Sequence, residues 1–104
     1  MAWIMLVLAG LLEIGFTTSL RYTENFTKFW PTVAFLVLSA TSFVLLTRAA
    51  QTIPLGTSYA VWTGIGAAGT VIVGIFAFGE PATALRLLFL ITLIGSIIGL
   101  KLVS

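Results

Sequence analysis

Apolar residues fill four long runs, and short polar links separate them. The first run, residues 2–20, is uncharged except at Glu13 and gives way to Arg21-Tyr22, a cation and an aromatic suited to a membrane interface. The link Thr23-Glu24-Asn25-Phe26-Thr27-Lys28 then leads to Trp30-Pro31. Pro31 suits the first turn of a helix, where its missing N–H is not needed. The second run stops at Arg48. Residues 49–79 carry no charge and are too many for one span, so Pro54-Leu55-Gly56 is read as the break within them. Gly79-Glu80-Pro81 forms the next turn, and the last run ends at Lys101. The pattern predicts helices over about 2–20, 30–47, 57–78 and 84–101. About eighteen or more apolar residues suffice to span a bilayer.

Composition places these helices in a membrane. Of 104 residues, 60% are hydrophobic and only 8% charged, whereas soluble domains carry about 25% charged residues. The mean hydropathy is +1.19. The expectation is one all-α membrane domain over residues 1–104, with no room in the links for a soluble domain. The N-terminal run lacks a basic stretch and a small-residue cleavage site, so it is expected to stay as a helix. The basic residues are scattered, which gives no footprint for nucleic acid. With no His and no Cys there are no soft metal ligands, disulfides, thiol nucleophiles or imidazole bases. Three isolated Glu residues do not make a metal cage, and no nucleophile–base pair is present. Neither a metal, nor a cofactor, nor an enzyme is expected.

Four spans put both termini on one side. Arg21, Lys28 and Arg86 then face one way, and Arg48 with Lys101 face the other. This near balance leaves little positive-inside bias. It admits either a weak preference for one orientation or insertion in both, as an antiparallel homodimer.

Glu13 is the anomaly in this pattern. A carboxylate near mid-membrane costs about 2.5–3.5 kcal/mol on insertion scales and is read as functional by default. The alternative, a soluble helix pairing Glu13 with a Lys or Arg, conflicts with the composition. Ala9, Gly10, Phe16 and Thr17 share its face, and Gly10 leaves room beside it for a neighbouring helix or a small ligand. In the second helix Ser39, Thr41 and Ser42 carry hydroxyls. These can bond back to their own helix, or Ser42 can donate to Glu13. In the third, Tyr59, Trp62, Thr63 and Gly66 fall on one stripe. Tyr59 and Trp62 are either an interfacial belt or donors to the buried anion, with ring faces suited to a cation. Gly64-Ile65-Gly66 allows that helix to bend. Gly95 and Gly99 form a G-x-x-x-G dimerisation face in the fourth.

With no internal cation, a buried carboxylate has two inexpensive states, protonated or paired with a cation from outside. Loss of hydration favours the neutral acid and a bound cation favours the anion. Proton and cation therefore compete for one group, which is the thermodynamic basis of antiport. A switch exposing the site to one side at a time is also required.

The chain resembles the small multidrug resistance family of bacterial exporters over essentially its whole length. The resemblance rests on the Glu13 segment, on Phe26-Thr27-Lys28-Phe29-Trp30-Pro31, and on Ile53-Pro54-Leu55-Gly56-Thr57-Ser58-Tyr59-Ala60-Val61-Trp62-Thr63-Gly64-Ile65-Gly66. Tyr59 to Gly66, with Gly99-Leu100-Lys101, is most similar to the guanidinium exporter subtype. The resemblance implies an antiparallel, dual-topology homodimer in the bacterial inner membrane that exchanges protons for guanidinium ion. It further implies that Glu13 from both subunits forms the shared site, with Ser42 and Trp62 as hydrogen-bonding partners of Glu13. Tyr59 would line the site and couple to the switch, and Gly10 would belong to the close-packed binding region. Residues 14–20 read closer to the multidrug pattern, which extends the expected substrates to substituted guanidinium or small quaternary ammonium cations. Two further classes compete: a non-transporting membrane subunit docking through Glu13, and a channel passing cations without proton coupling.

Overall fold

A chain in lipid must satisfy its backbone polar groups internally, and each apolar run accordingly folds as one unbroken helix. The computed structural model describes residues 1–103 and contains α1 (Ala2–Tyr22), α2 (Phe29–Ala49), α3 (Leu55–Ala77) and α4 (Ala84–Val103). Their lengths of 21, 21, 23 and 20 residues correspond to about 30–35 Å of rise, close to the thickness of a hydrocarbon core. All four are long and apolar enough to cross a bilayer.

The helix ends depart from the expected ones by a residue or two, for local reasons. α1 runs on to Tyr22, where Thr23 closes it: the Thr23 hydroxyl donates to the Leu20 carbonyl at 2.8 Å, and its N–H donates to the same oxygen at 3.2 Å. The chain then turns through Glu24, Asn25 and Phe26 at φ of 47°, 62° and 65°, a left-handed bend built without glycine. The Thr23 carbonyl holds this bend by accepting from Thr27 and Lys28 at 2.9 and 3.0 Å, and the Phe26 ring packs edge-on against Phe35 at 5.6 Å. α3 starts at Leu55 because the Pro54 carbonyl already accepts the Ser58 N–H at 2.9 Å. At its other end the N–H groups of Phe78 and Glu80 both reach the Gly74 carbonyl at 3.1 Å. Gly79 permits this reversal with φ +66°.

The helices form a row. α1 packs on α2 and α3, α2 barely meets α3, and α4 packs along the far side of α3. The result is a slab measuring 41 × 35 × 17 Å. Its core lies toward one end, where Leu6 and Ala9 of α1 meet Ala49, Ile53, Val61 and Trp62. α4 buries no residue of its own. Its Leu85, Phe89 and Ile91, like Phe76 of α3, point outward, as lipid-facing or partner-facing side chains do.

Candidate functional site

The α1–α3 contact is a tight one, and three glycines make it so. A Cβ at Gly10 would lie 2.7 Å from Ile65 Cγ2. At Gly66 it would overlap Glu13 Oε1, and at Gly69 it would overlap Ile14 Cδ1. The Glu13 side chain therefore lies directly against the α3 backbone at Gly66. The space at Gly10, expected to open beside Glu13, is filled by Ile65. Room for a ligand lies on the other side of the carboxylate. A cavity of about 390 Å³ there is lined by Glu13, Thr17, Thr63, Gly66, Ala67, Thr70, Val71 and Glu80.

Glu13 is half-buried, and its carboxylate has no hydrogen-bond or ion-pair partner among the described residues. The other two acidic residues are paired: Glu24 with Lys28 at 3.5 Å and Glu80 with Arg86 at 3.4 Å. Among the described residues no cluster of three acidic, His or Cys side chains stands ready for a metal. What the cavity offers is an unpaired carboxylate, threonine hydroxyls and an apolar wall.

The expected partners of Glu13 are brought together, but with each other. Trp62 Nε1–H donates to Ser42 Oγ at 2.9 Å, and the Ser42 hydroxyl donates to the Ala9 carbonyl at 2.7 Å. Ser42 is fully buried and Trp62 nearly so. In this protomer neither side chain bonds Glu13. The reason is register, since α2 crosses α1 one turn before Glu13. Ala9 carries the carbonyl that closes the helical turn ending at Glu13, so the Trp62–Ser42–Ala9 chain clamps the turn that presents the carboxylate. Ser39 and Thr41 bond back to their own helix.

Tyr59 is 60% exposed, with its ring 6.0 Å from that of Trp62. From Trp62 the aromatic contacts continue to Phe43 at 5.3 Å, to Phe16 at 6.4 Å and to Phe35 at 5.7 Å. Gly64 is buried under Ile97 of α4, 2.7 Å from where its Cβ would lie. α3 passes through Gly64 and Gly66 without a break. Gly95 and Gly99 have nothing within 4 Å of a hypothetical Cβ, which leaves that face of α4 open.

The sequence reading gives Thr70, Gly74 and Glu80 no place at the site. Glu80 read as a turn residue, and its return into the cavity depends on the Gly79 reversal. The available signal was the four-residue spacing of Gly66, Thr70 and Gly74, which puts them on one stripe of α3.

Comparison with known proteins agrees with this architecture. A family model described as Small Multidrug Resistance protein matches residues 1–94. A protein named guanidinium exporter from Yersinia pseudotuberculosis is 50% identical over 104 residues, covering all of both chains. One of the same name from Proteus vulgaris is 48% identical, also end to end. A third, from Citrobacter freundii, is 47% identical over 98% of this chain and 97% of its own. Four apolar helices and these relatives make this a multi-pass membrane protein, and the chain belongs to the small multidrug resistance family.

Proposed function

We propose that this protein exports guanidinium ion, and small substituted guanidinium or quaternary ammonium cations, in exchange for protons across the bacterial cell membrane. The observation that carries this is Glu13: a half-buried carboxylate facing a cavity, with no cation paired to it among the described residues. The relatives named guanidinium exporter support the choice of cargo. A planar guanidinium presents paired N–H donors that match the two oxygens of a carboxylate, and the threonine hydroxyls around Glu13 can accept its remaining donors.

The working unit is an antiparallel homodimer with Glu13, Ser42, Tyr59 and Trp62 of both subunits around one site and Gly10 in its close-packed wall. Proton and cation bind Glu13 in alternation. The Trp62–Ser42–Ala9 clamp fixes the turn that presents it, and Tyr59, exposed in the protomer, reaches the shared site. α3 bends at Gly64 and Gly66 as access changes sides, while α4 joins the subunits through Gly95 and Gly99. Because the two subunits are identical and inverted, exchanging their shapes turns an inward-open site into an outward-open one.

The test is proton-coupled uptake in liposomes, comparing guanidinium with a bulky aromatic cation, for the parent and for Glu13→Gln. The variant should lose coupled transport of every substrate. Full coupled transport by Glu13→Gln would overturn the proposal, and equal rates for the aromatic cation would make it a multidrug exporter.

A further inference from the structure

The cavity at Glu13 has a second carboxylate in its lining, Glu80 from the α3–α4 link. Its position follows from the same device that seats Glu13. A Cβ at Gly74 would overlap Glu80 Oε1 and lie 2.6 Å from its Cδ, so the Glu80 carboxylate rests on α3 at Gly74 as Glu13 rests on it at Gly66. Gly66 and Gly74 are eight residues apart, about 12 Å along the helix.

Thr70 lies midway between them on that stripe and also lines the cavity. Its hydroxyl oxygen is buried and has no hydrogen-bond partner among the described residues. Several other helical hydroxyls are satisfied within their own helix: Thr18, Thr41, Thr47, Thr92 and Ser96 donate to the carbonyl four residues earlier, at 2.7–2.9 Å. Leaving a buried hydroxyl without a partner is unfavourable, and a ligand passing it would restore the bond.

Glu80 is held loosely. Arg86 Nη2 approaches its Oε1 at 3.4 Å, while Nη1 donates to the Pro81 carbonyl at 2.7 Å. Glu80 Oε2 has no partner among the described residues. Of the other cations at this end, Arg21 stacks over the Phe78 ring at 4.4 Å and Lys28 pairs with Glu24 at 3.5 Å. In the resting protomer a guanidinium group therefore already sits on Glu80, and it belongs to Arg86.

We infer that Glu80 is an outer station for guanidinium-type cations, connected to Glu13 along the Gly66–Thr70–Gly74 stripe, with Arg86 occupying it until a substrate guanidinium displaces the side chain. This rests on the reading of Glu13 as the transport site and adds a path to it. Arg86 and the substrate carry the same group, so exchange at Glu80 replaces one carboxylate–guanidinium contact with another. The cation is then partnered through most of its approach.

The experiment measures guanidinium KM and maximal rate in liposomes for Glu80→Gln, Glu80→Asp, Thr70→Val and Arg86→Gln, with Glu13→Gln alongside. Glu80→Gln should raise KM about tenfold, the loss of one charge-assisted contact, with the maximal rate kept. Glu80→Asp should recover most of it, Thr70→Val should raise KM several-fold, and Arg86→Gln should lower KM by freeing the station. Parent-like KM in a folded Glu80→Gln, or an equal fall in maximal rate for Glu80→Gln and Glu80→Asp, would overturn the outer station. Were Glu13→Gln itself to transport, the transport-site reading would fall instead, and the two failures are told apart.

Discussion

At the scale of the residue, Glu13 and Gly66 are one unit. The carboxylate occupies the volume that any larger residue at 66 would need. Gly66→Ala should therefore push Glu13 off α3 and weaken guanidinium binding tenfold or more, about 1.4 kcal/mol, as read by isothermal titration in detergent. Unchanged affinity would show that the seat is unimportant. Ser42→Ala removes the acceptor of Trp62 Nε1–H and the donor to Ala9. An orphaned buried donor costs about 1–3 kcal/mol, so the melting temperature should fall and the indole fluorescence should shift. The proposed competition at Glu13 also fixes the sign of the pH effect: if a proton displaces the cation, guanidinium affinity should weaken as pH falls, by at most about tenfold per pH unit for each proton exchanged. Glu13 stood out in the sequence as the one charge inside the first apolar run. Its surroundings were not. Whether Ser42 meets Glu13 or Ala9 is a matter of a single turn in how α2 crosses α1, which composition and spacing do not encode.

Among the elements, α3 does the most positioning. Its glycines serve three different neighbours: Gly66 and Gly69 take α1, Gly64 takes α4, and Gly74 takes the returning link. The four helices were legible because lipid imposes length and apolarity together, and polar links mark the breaks. Their ends were less so, because they depend on which carbonyl captures the next N–H, as Pro54 does for Ser58 and Gly74 does for Glu80. Gly79 is the clearest dependence of an element on one residue. With φ at +66°, Gly79→Ala should cost about 1–2 kcal/mol in denaturation from detergent micelles and should loosen Glu80 from Gly74. Phe26 and Asn25 bear the same left-handed conformation without glycine's freedom, and the contacts of Phe26 with Phe35 and of the Thr23 carbonyl hold them there.

As a whole molecule the chain is a slab with the carboxylate-bearing cavity open on one face and a helix at its edge that has no fully buried residue of its own. A carboxylate and hydroxyls facing lipid directly would be costly, and the proposed second copy, covering that face, would remove the cost. If α4 joins the copies, Gly95→Leu should leave the protomer's fold intact, since nothing lies within 4 Å of that position, and should convert a cross-linkable dimer into monomer; a persistent dimer would move the interface elsewhere. The near balance of three cations against two was the one sequence feature bearing on orientation, and charge counting alone left it open. The most direct test of the account is proton movement in liposomes holding a pH-sensitive dye and loaded with guanidinium, without other driving ions. Dilution into guanidinium-free buffer should acidify the lumen as cation leaves and protons enter, and Glu13→Gln should abolish the signal. Guanidinium efflux with no change in luminal pH would contradict it.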